Sequence, residues 1–214
     1  MTRNFKIILT LFAFLVAAMS LTTPVAFAMD LSPFSDLGAY YISKHGDVAA
    51  AQIKQEGLNN KGEITQTMDP TALSGGGSFA EIIQVGSLNQ AYIRQDGKVN
   101  SASVTQSDTN NYANLVQGGT NSANVEQKGS YNYALTNQDG SLNFIELKQS
   151  DGANVFSGTQ IGENNKMTVF QPGSALSTMS EIGNNNTIIL NQKVSGVYNI
   201  EIRGNNIQFE VTQR

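Results

Sequence analysis

The stretch from Asn89 to Gln106, "NQAYIRQDGKVNSASVTQ", contains nearly the same phrase twice. Asn89-x-Ala91-x-x-x-Gln95 is followed eleven residues later by Asn100-x-Ala102-x-x-x-Gln106. Such a phrase reads as a binding code, a catalytic array or a building unit, and its neighbours decide among the three. The Gln mark recurs at Gln84, Gln95, Gln106 and Gln117 in steps of eleven, resumes at Gln127 after a step of ten, and continues through Gln138, Gln149, Gln160 and Gln171. Upstream Gln55 and Gln66 keep the spacing; downstream Glu181 takes the place, then Gln192 and Gln213. Six residues before most marks stands Asn: Asn60, Asn89, Asn100, Asn111, Asn121, Asn132, Asn143, Asn154, Asn165 and Asn186. Nine before stands Gly or Asp, as at Gly86, Gly97, Asp108, Gly129, Gly140 and Asp151. Both types suit turns that need positive φ or a side-chain-bonded backbone, so each unit reads as a turn followed by about seven extended residues. It is a building unit.

Within the extended part the alternation has period two, the strand signature. One face reads Asn89, Ala91, Ile93, Gln95, then Asn100, Ala102, Val104, Gln106; later units enlarge its middle, as in Asn143, Ile145, Leu147, Gln149. The other face drifts freely (Gln90, Tyr92, Arg94 against Ser101, Ser103, Thr105), so the constant face is the inward one. Eleven residues cannot close around a core, but twenty-two can, as two strands and two tight turns. The expected fold is all-β: an amyloid-like β-solenoid of about eight 22-residue strand–turn–strand rungs, forming two stacked parallel sheets, on the order of 35–40 Å long at the β spacing. A buried unpaired amide costs about 1–3 kcal/mol. Stacked like on like at the strand repeat, each amide bonds to those above and below. Asn60, Gln66, and the Asn and Gln pairs from Asn89–Gln95 to Asn186–Gln192 are therefore expected to form a self-assembly amide ladder. "GAYYISK" (38–44) adds a degenerate unit, and the long step from Gln66 to Gln84 leaves an insertion over 68–77 around "LSGGG", read as a loop from one turn.

The first 28 residues are expected to stand apart from this fold. Arg3 and Lys6 open a basic start, "IILTLFAFLVAAM" has the length of a signal h-region, and "AFA" places cleavage between Ala28 and Met29. Residues 29–37 read as an irregular lead-in and 38–214 as the solenoid. Cleavage would remove two of 13 basic residues and none of 17 acidic ones, leaving a formal charge of −6. A phosphate-neutralising surface is not indicated, so no nucleic-acid partner is expected. The chain has no cysteine and only 14% charged residues, so backbone pairing and uncharged polar stacking have to hold it.

The units resemble curlin repeats, whose pattern is Ser or Asn and Gln at strand ends, aliphatics between, and Gly-rich turns. The resemblance covers 38–213. Within that family "AYIRQDGKVNSASVTQ" and the terminal "VTQR" are most similar to the minor, fibre-nucleating subunits. The resemblance implies a secreted functional-amyloid subunit, with other curlin subunits and outer-membrane accessory and secretion factors as partners. It also implies a role at the cell surface in adhesion and biofilm. The alternative inside the family is a major fibre subunit; outside it, a monomeric ice- or carbohydrate-binding solenoid.

Catalysis has little to work with: His45 is the only histidine, and without Cys there is neither thiol nucleophile nor zinc cluster. No catalytic residue, metal or cofactor is expected. Asp96, Asp108, Asp139 and Asp151 read as turn formers, since the calcium-binding nonapeptide is missing. Outward aromatics (Tyr92, Tyr112, Tyr133, Phe144, Phe170) keep no constant register in the eleven-residue frame, so cross-strand packing is their expected role. Glu181 sits inward where Gln belongs. The last units lose their amides: Gly196, Tyr198, Ile200 and Ile202 have none, and Ile207 replaces Asn before Phe209, Val211 and Gln213. These units read either as a charged cap, with Glu201, Arg203, Glu210 and Arg214 discouraging addition, or as a docking end; the resemblance implies the second, with Arg203, Phe209, Val211, Gln213 and Arg214 as the expected surface-docking end.

Overall fold

The structure is a computed structural model that describes residues 40–45, 49–67, 77–97 and 99–213. The expected signal peptide with its Ala28–Met29 junction, the expected lead-in, most of the 68–77 insertion and Arg214 lie outside the described residues. Every element is a strand. In chain order these are β1 Tyr40–His45, β2 Ala49–Leu58, β3 Lys61–Thr67, β4 Ser78–Ser87, β5 Gln90–Gly97, β6 Ser101–Thr109 and β7 Tyr112–Gln127. There follow β8 Tyr133–Ser150, β9 Val155–Glu163, β10 Lys166–Pro172, β11 Leu176–Ile182, β12 Thr187–Asn191, β13 Val197–Arg203 and β14 Gln208–Thr212.

All pairings are parallel and in register. The first sheet runs β1, β3, β5, the start of β7, the start of β8, β9, β11, β13. The second runs β2, β4, β6, the ends of β7 and β8, β10, β12, β14. β7 and β8 each pass round a corner from one sheet to the other. The opening phrase thus becomes β5 and β6, one strand in each sheet. The expected β-solenoid is present, although its uninterrupted part is shorter than eight rungs. Strand–turn–strand rungs succeed one another without a break only from Ser78 to Arg203. The insertion separates β2–β3 from them, while β1 and β14 are single strands.

The alternation becomes burial because each strand is covered on one face only. In β5, Ala91, Ile93 and Gln95 are buried while Tyr92 and Arg94 face out. The core is thin, and its volume is balanced within strands. In β9 the ring of Phe156 lies over Gly158, where an added Cβ would meet it at 2.6 Å. The corners need glycine for a different reason. Gly140 has φ 113°, and a Cβ there would lie 2.0 Å from the Gly162 carbonyl of the next rung. Rungs at strand spacing leave no room for a side chain pointing along the axis. Asp108 and Asp151 hold the same corner position at φ 72° and 70°, and the Asp108 carboxylate accepts from the Gly129 backbone N–H at 2.9 Å.

Candidate functional site: the amide files and the ends of the stack

The Gln side chains form two files, one per sheet, running along the stack between the corners and the apolar core. In the second sheet each Nε2 donates to the Oε1 of the next rung: Gln55 to Gln84 at 2.6 Å, Gln84 to Gln106 at 2.7 Å, Gln106 to Gln127 at 2.8 Å, Gln127 to Gln149 at 2.9 Å. Gln149 to Gln171 and Gln171 to Gln192 complete it, both at 3.0 Å. In the first sheet Gln66, Gln95, Gln117, Gln138 and Gln160 are joined at 2.8–2.9 Å. The second Nε2 proton crosses the core to a main-chain carbonyl of the other sheet, as from Gln95 to Phe79 at 2.9 Å and from Gln138 to Ser122 at 3.0 Å. Each central Gln is thus a buried amide with both protons and its oxygen engaged, so the file avoids the cost of an unpaired polar group. It also has a direction: oxygens face the N-terminal end and amide protons the C-terminal end.

The Asn residues form two further files, one at each corner, in which main-chain bonds run beside amide-on-amide ones: Nδ2 donates to the neighbouring Oδ1 from Asn111 to Asn89, Asn132 to Asn111, Asn154 to Asn132 and Asn165 to Asn143, at 2.9–3.1 Å. Asn Oδ1 accepts chiefly from the main-chain N–H of the next rung's Asn, as from Asn111 to Asn89 at 3.1 Å and from Asn143 to Asn121 at 3.0 Å. Nδ2 donates to turn carbonyls, for instance Asn132 to Lys128 and Asn165 to Gly183. Asn therefore latches the turn as well as meeting its neighbour in the stack. Asn60, Asn89, Asn111, Asn132 and Asn154 make one file, which ends on the N–H of Ala175. The other begins at Ser78, whose hydroxyl accepts from Asn100, and runs through Asn121, Asn143, Asn165 and Asn186 to the N–H of Ile207.

Three features escape the eleven-residue frame. The residue before most corner Asn residues is left-handed even where its type does not favour it, as in Leu88 (φ 61°), Tyr131 (φ 63°) and Leu142 (φ 58°). An outer Asn file forms at one corner of the last rungs, where Asn184 accepts from the Glu163 N–H and Asn205 from the Asn184 N–H. Its trace is the consecutive "ENN", "NNN" and "GNN". Lastly, Tyr112 and Tyr133 do share a register, with rings stacked at 4.8 Å, and Tyr92 joins them at 5.7 Å. The ten-residue step before Gln127 hides that alignment from a fixed count of eleven.

The first-sheet file ends inside the protein. Gln160 Nε2 donates to Glu181 Oε2 at 2.6 Å, and the fully buried carboxyl has no partner for Oε1. Ile202 follows in register, with nothing to donate. Burial pushes the Glu181 carboxyl up to about 7, against the opposing pull of the Gln160 amide and the Ile188 backbone. No charged side chain contributes to that shift, and its register partners are Gln160 on β9 and Ile202 on β13.

The repeat profile described as "Curlin associated repeat" matches residues 75–107 and 120–150, which span β4–β6 and the two corner-turning strands. These two stretches carry the curlin-associated repeat. No curated protein and no solved structure matches it. The same register carries the unit beyond the matched stretches to β13. At the C-terminal face β13 pairs only with β11, and β14 only with β12. Phe209 is 43% exposed, Val211 half-buried, and the Gln213 Oε1 lacks a partner. Arg203 is bound to Glu201 on its own strand. Among the described residues no group of His, Cys, Asp or Glu could hold a metal ion.

Proposed function

We propose that this chain is a curli fibre subunit: a secreted protein that assembles with other curlin subunits into an extracellular amyloid fibre, acting as the minor subunit that nucleates the polymer. The observation that carries the reading is the pair of directional Gln files running into open strand edges. A rung with unpaired backbone and an in-register amide is a template for another of the same kind. The N-terminal end supports templating, since Gln55 of the second sheet begins a continuous file. The C-terminal face supports attachment to a different partner, because Ile202 and Ile207 stand at amide positions there and Phe209 beside them is exposed. Outer-membrane accessory and secretion factors are the partners that the signal peptide and the family imply, and Arg203, Phe209, Val211, Gln213 and Arg214 form the docking end. The mechanism needs no catalytic group or cofactor.

The test is seeding. Mature chain added at about one part in a hundred to a major curlin subunit should abolish its lag phase in thioflavin T fluorescence. A chain that stays monomeric, binds no Congo red and leaves the lag unchanged refutes the assignment. A chain that polymerises alone but does not seed is a major subunit instead. Deletion of 196–214 should release fibres from cells while leaving polymerisation in vitro intact.

A further inference from the structure

The two outer faces of the stack differ in charge. On the first sheet Tyr112, Tyr133, Val155, Leu176 and Val197 stand in one register, forming an apolar ridge along the axis. Tyr133, Val155 and Leu176 are 38%, 38% and 41% exposed, and Val197 75%. From β7 to β11 the two rows beside the ridge (Asn114 to Thr178 and Val116 to Ser180) hold only amide, hydroxyl and aliphatic side chains. Charge returns at the margins, with Arg94 and Asp96 one rung before, Asp139 at the corner, and Glu201 and Arg203 one rung after. The second sheet's outer face carries Glu81, Glu126, Glu146, Lys148, Lys166 and Glu210.

We propose that the neutral face of the first sheet packs against the same face of a second copy, joining two stacks side by side. Charge selects both the face and the occupant. The chain has a formal charge of −4, so two copies repel overall. The second-sheet face would have to desolvate Glu81, Glu126, Glu146, Glu210, Lys148 and Lys166, a costly contact. The first-sheet face meets its twin with no charge buried, and its ridge loses water to an apolar surface. Spacing argues the same way. The ridge repeats at the strand separation of about 4.8 Å, and a second solenoid repeats its own side chains at that separation, so every rung can seat alike. This contact lies on the flank and is independent of templating at the ends.

The chain has no native cysteine, which allows a clean test. Ser157→Cys places one thiol beside the ridge, and Ser103→Cys places one on the opposite face; both serines are half-buried and outward. In assembled mature chain a short bismaleimide should give covalent dimers of S157C at five-fold or more the yield of S103C. Copies joined end to end hold the same residue roughly 35–40 Å apart, beyond the linker, so stacking alone gives no product. Leu176→Glu in the S157C background should lower the yield at least five-fold while thioflavin T kinetics stay unchanged. Equal yields at the two positions, or none at Ser157, overturn the pairing. Protection of S157C by cellohexaose without dimer formation also overturns it, in favour of a carbohydrate. Fibres without Ser157 dimers sink this inference alone; Ser157 dimers without fibres sink the proposed function alone.

Discussion

The two Gln files occupy equivalent positions in the same protein, yet one runs from Gln55 to Gln192 and the other stops at Glu181. In the second sheet every member from Gln84 to Gln171 is at once donor and acceptor, so each rung completes its neighbour. In the first sheet one oxygen in place of one NH2 ends the relay. Glu181 accepts from Gln160, lacks an amide to pass on, and leaves Oε1 orphaned. Amide stacking is thus a chain of obligations, and a single acceptor-only residue converts a growing file into a terminus. That places the amide-poor C-terminal face one rung beyond the break, where Ile202 offers no amide and Phe209 is exposed.

Breaking the intact file should have the largest effect. Gln127→Leu keeps the size and burial but strands the Gln106 amide, the Gln149 oxygen and the Tyr112 carbonyl. At about 1–3 kcal/mol for each of the three unsatisfied groups, a loss of roughly 3–9 kcal/mol is expected in denaturant unfolding. A loss under about 1 kcal/mol would show that the file is ornamental.

Mending the broken file should act in the opposite direction, and with a pH dependence. The Glu181 carboxyl titrates near 7 in the fold, against an ordinary value of 4.5. The folded state therefore binds more protons than the unfolded between those values, and stability falls as pH rises through that window. Below about pH 4.5 the penalty is absent; above about 7 it is complete, on the order of a few kcal/mol. Glu181→Gln should remove that slope and stabilise the chain at pH 8 but scarcely at pH 4. Parallel stability–pH curves for the two proteins would refute this.

Extending the mended file is the finest test. Ile202→Gln in the Glu181→Gln background carries the amide relay to the C-terminal face. Global stability should change by less than about 1 kcal/mol, because an end residue gains one hydrogen bond and loses some apolar burial. Addition of subunits at that end should accelerate in seeded growth. Unchanged growth would mean that the open backbone edge alone controls addition.

Much of this was legible along the chain. The recurrence of Gln95 at Gln106, Gln117 and Gln138 announced a solenoid, and period-two alternation named the inward face before any coordinate. Glu181 was visible as the odd member of its series. What stayed hidden was local geometry at the corners. Leu88 and Tyr131 adopt left-handed backbone that their side chains do not advertise, and Tyr112 met Tyr133 only after a short turn shifted the count. The Asn latch was likewise invisible, because spacing reports that amides stack but not whether they bond side chain or main chain.

By itself, then, the sequence determined the unit, its inward face and its parallel in-register stacking, since a repeat of like residues permits only like on like. Only the tertiary structure decided where each amide proton goes, which file breaks, and which outer face is left neutral. Those depend on how two sheets, offset by eleven residues along the chain, are brought to a common axis, and distance in space is the one quantity a linear period does not contain.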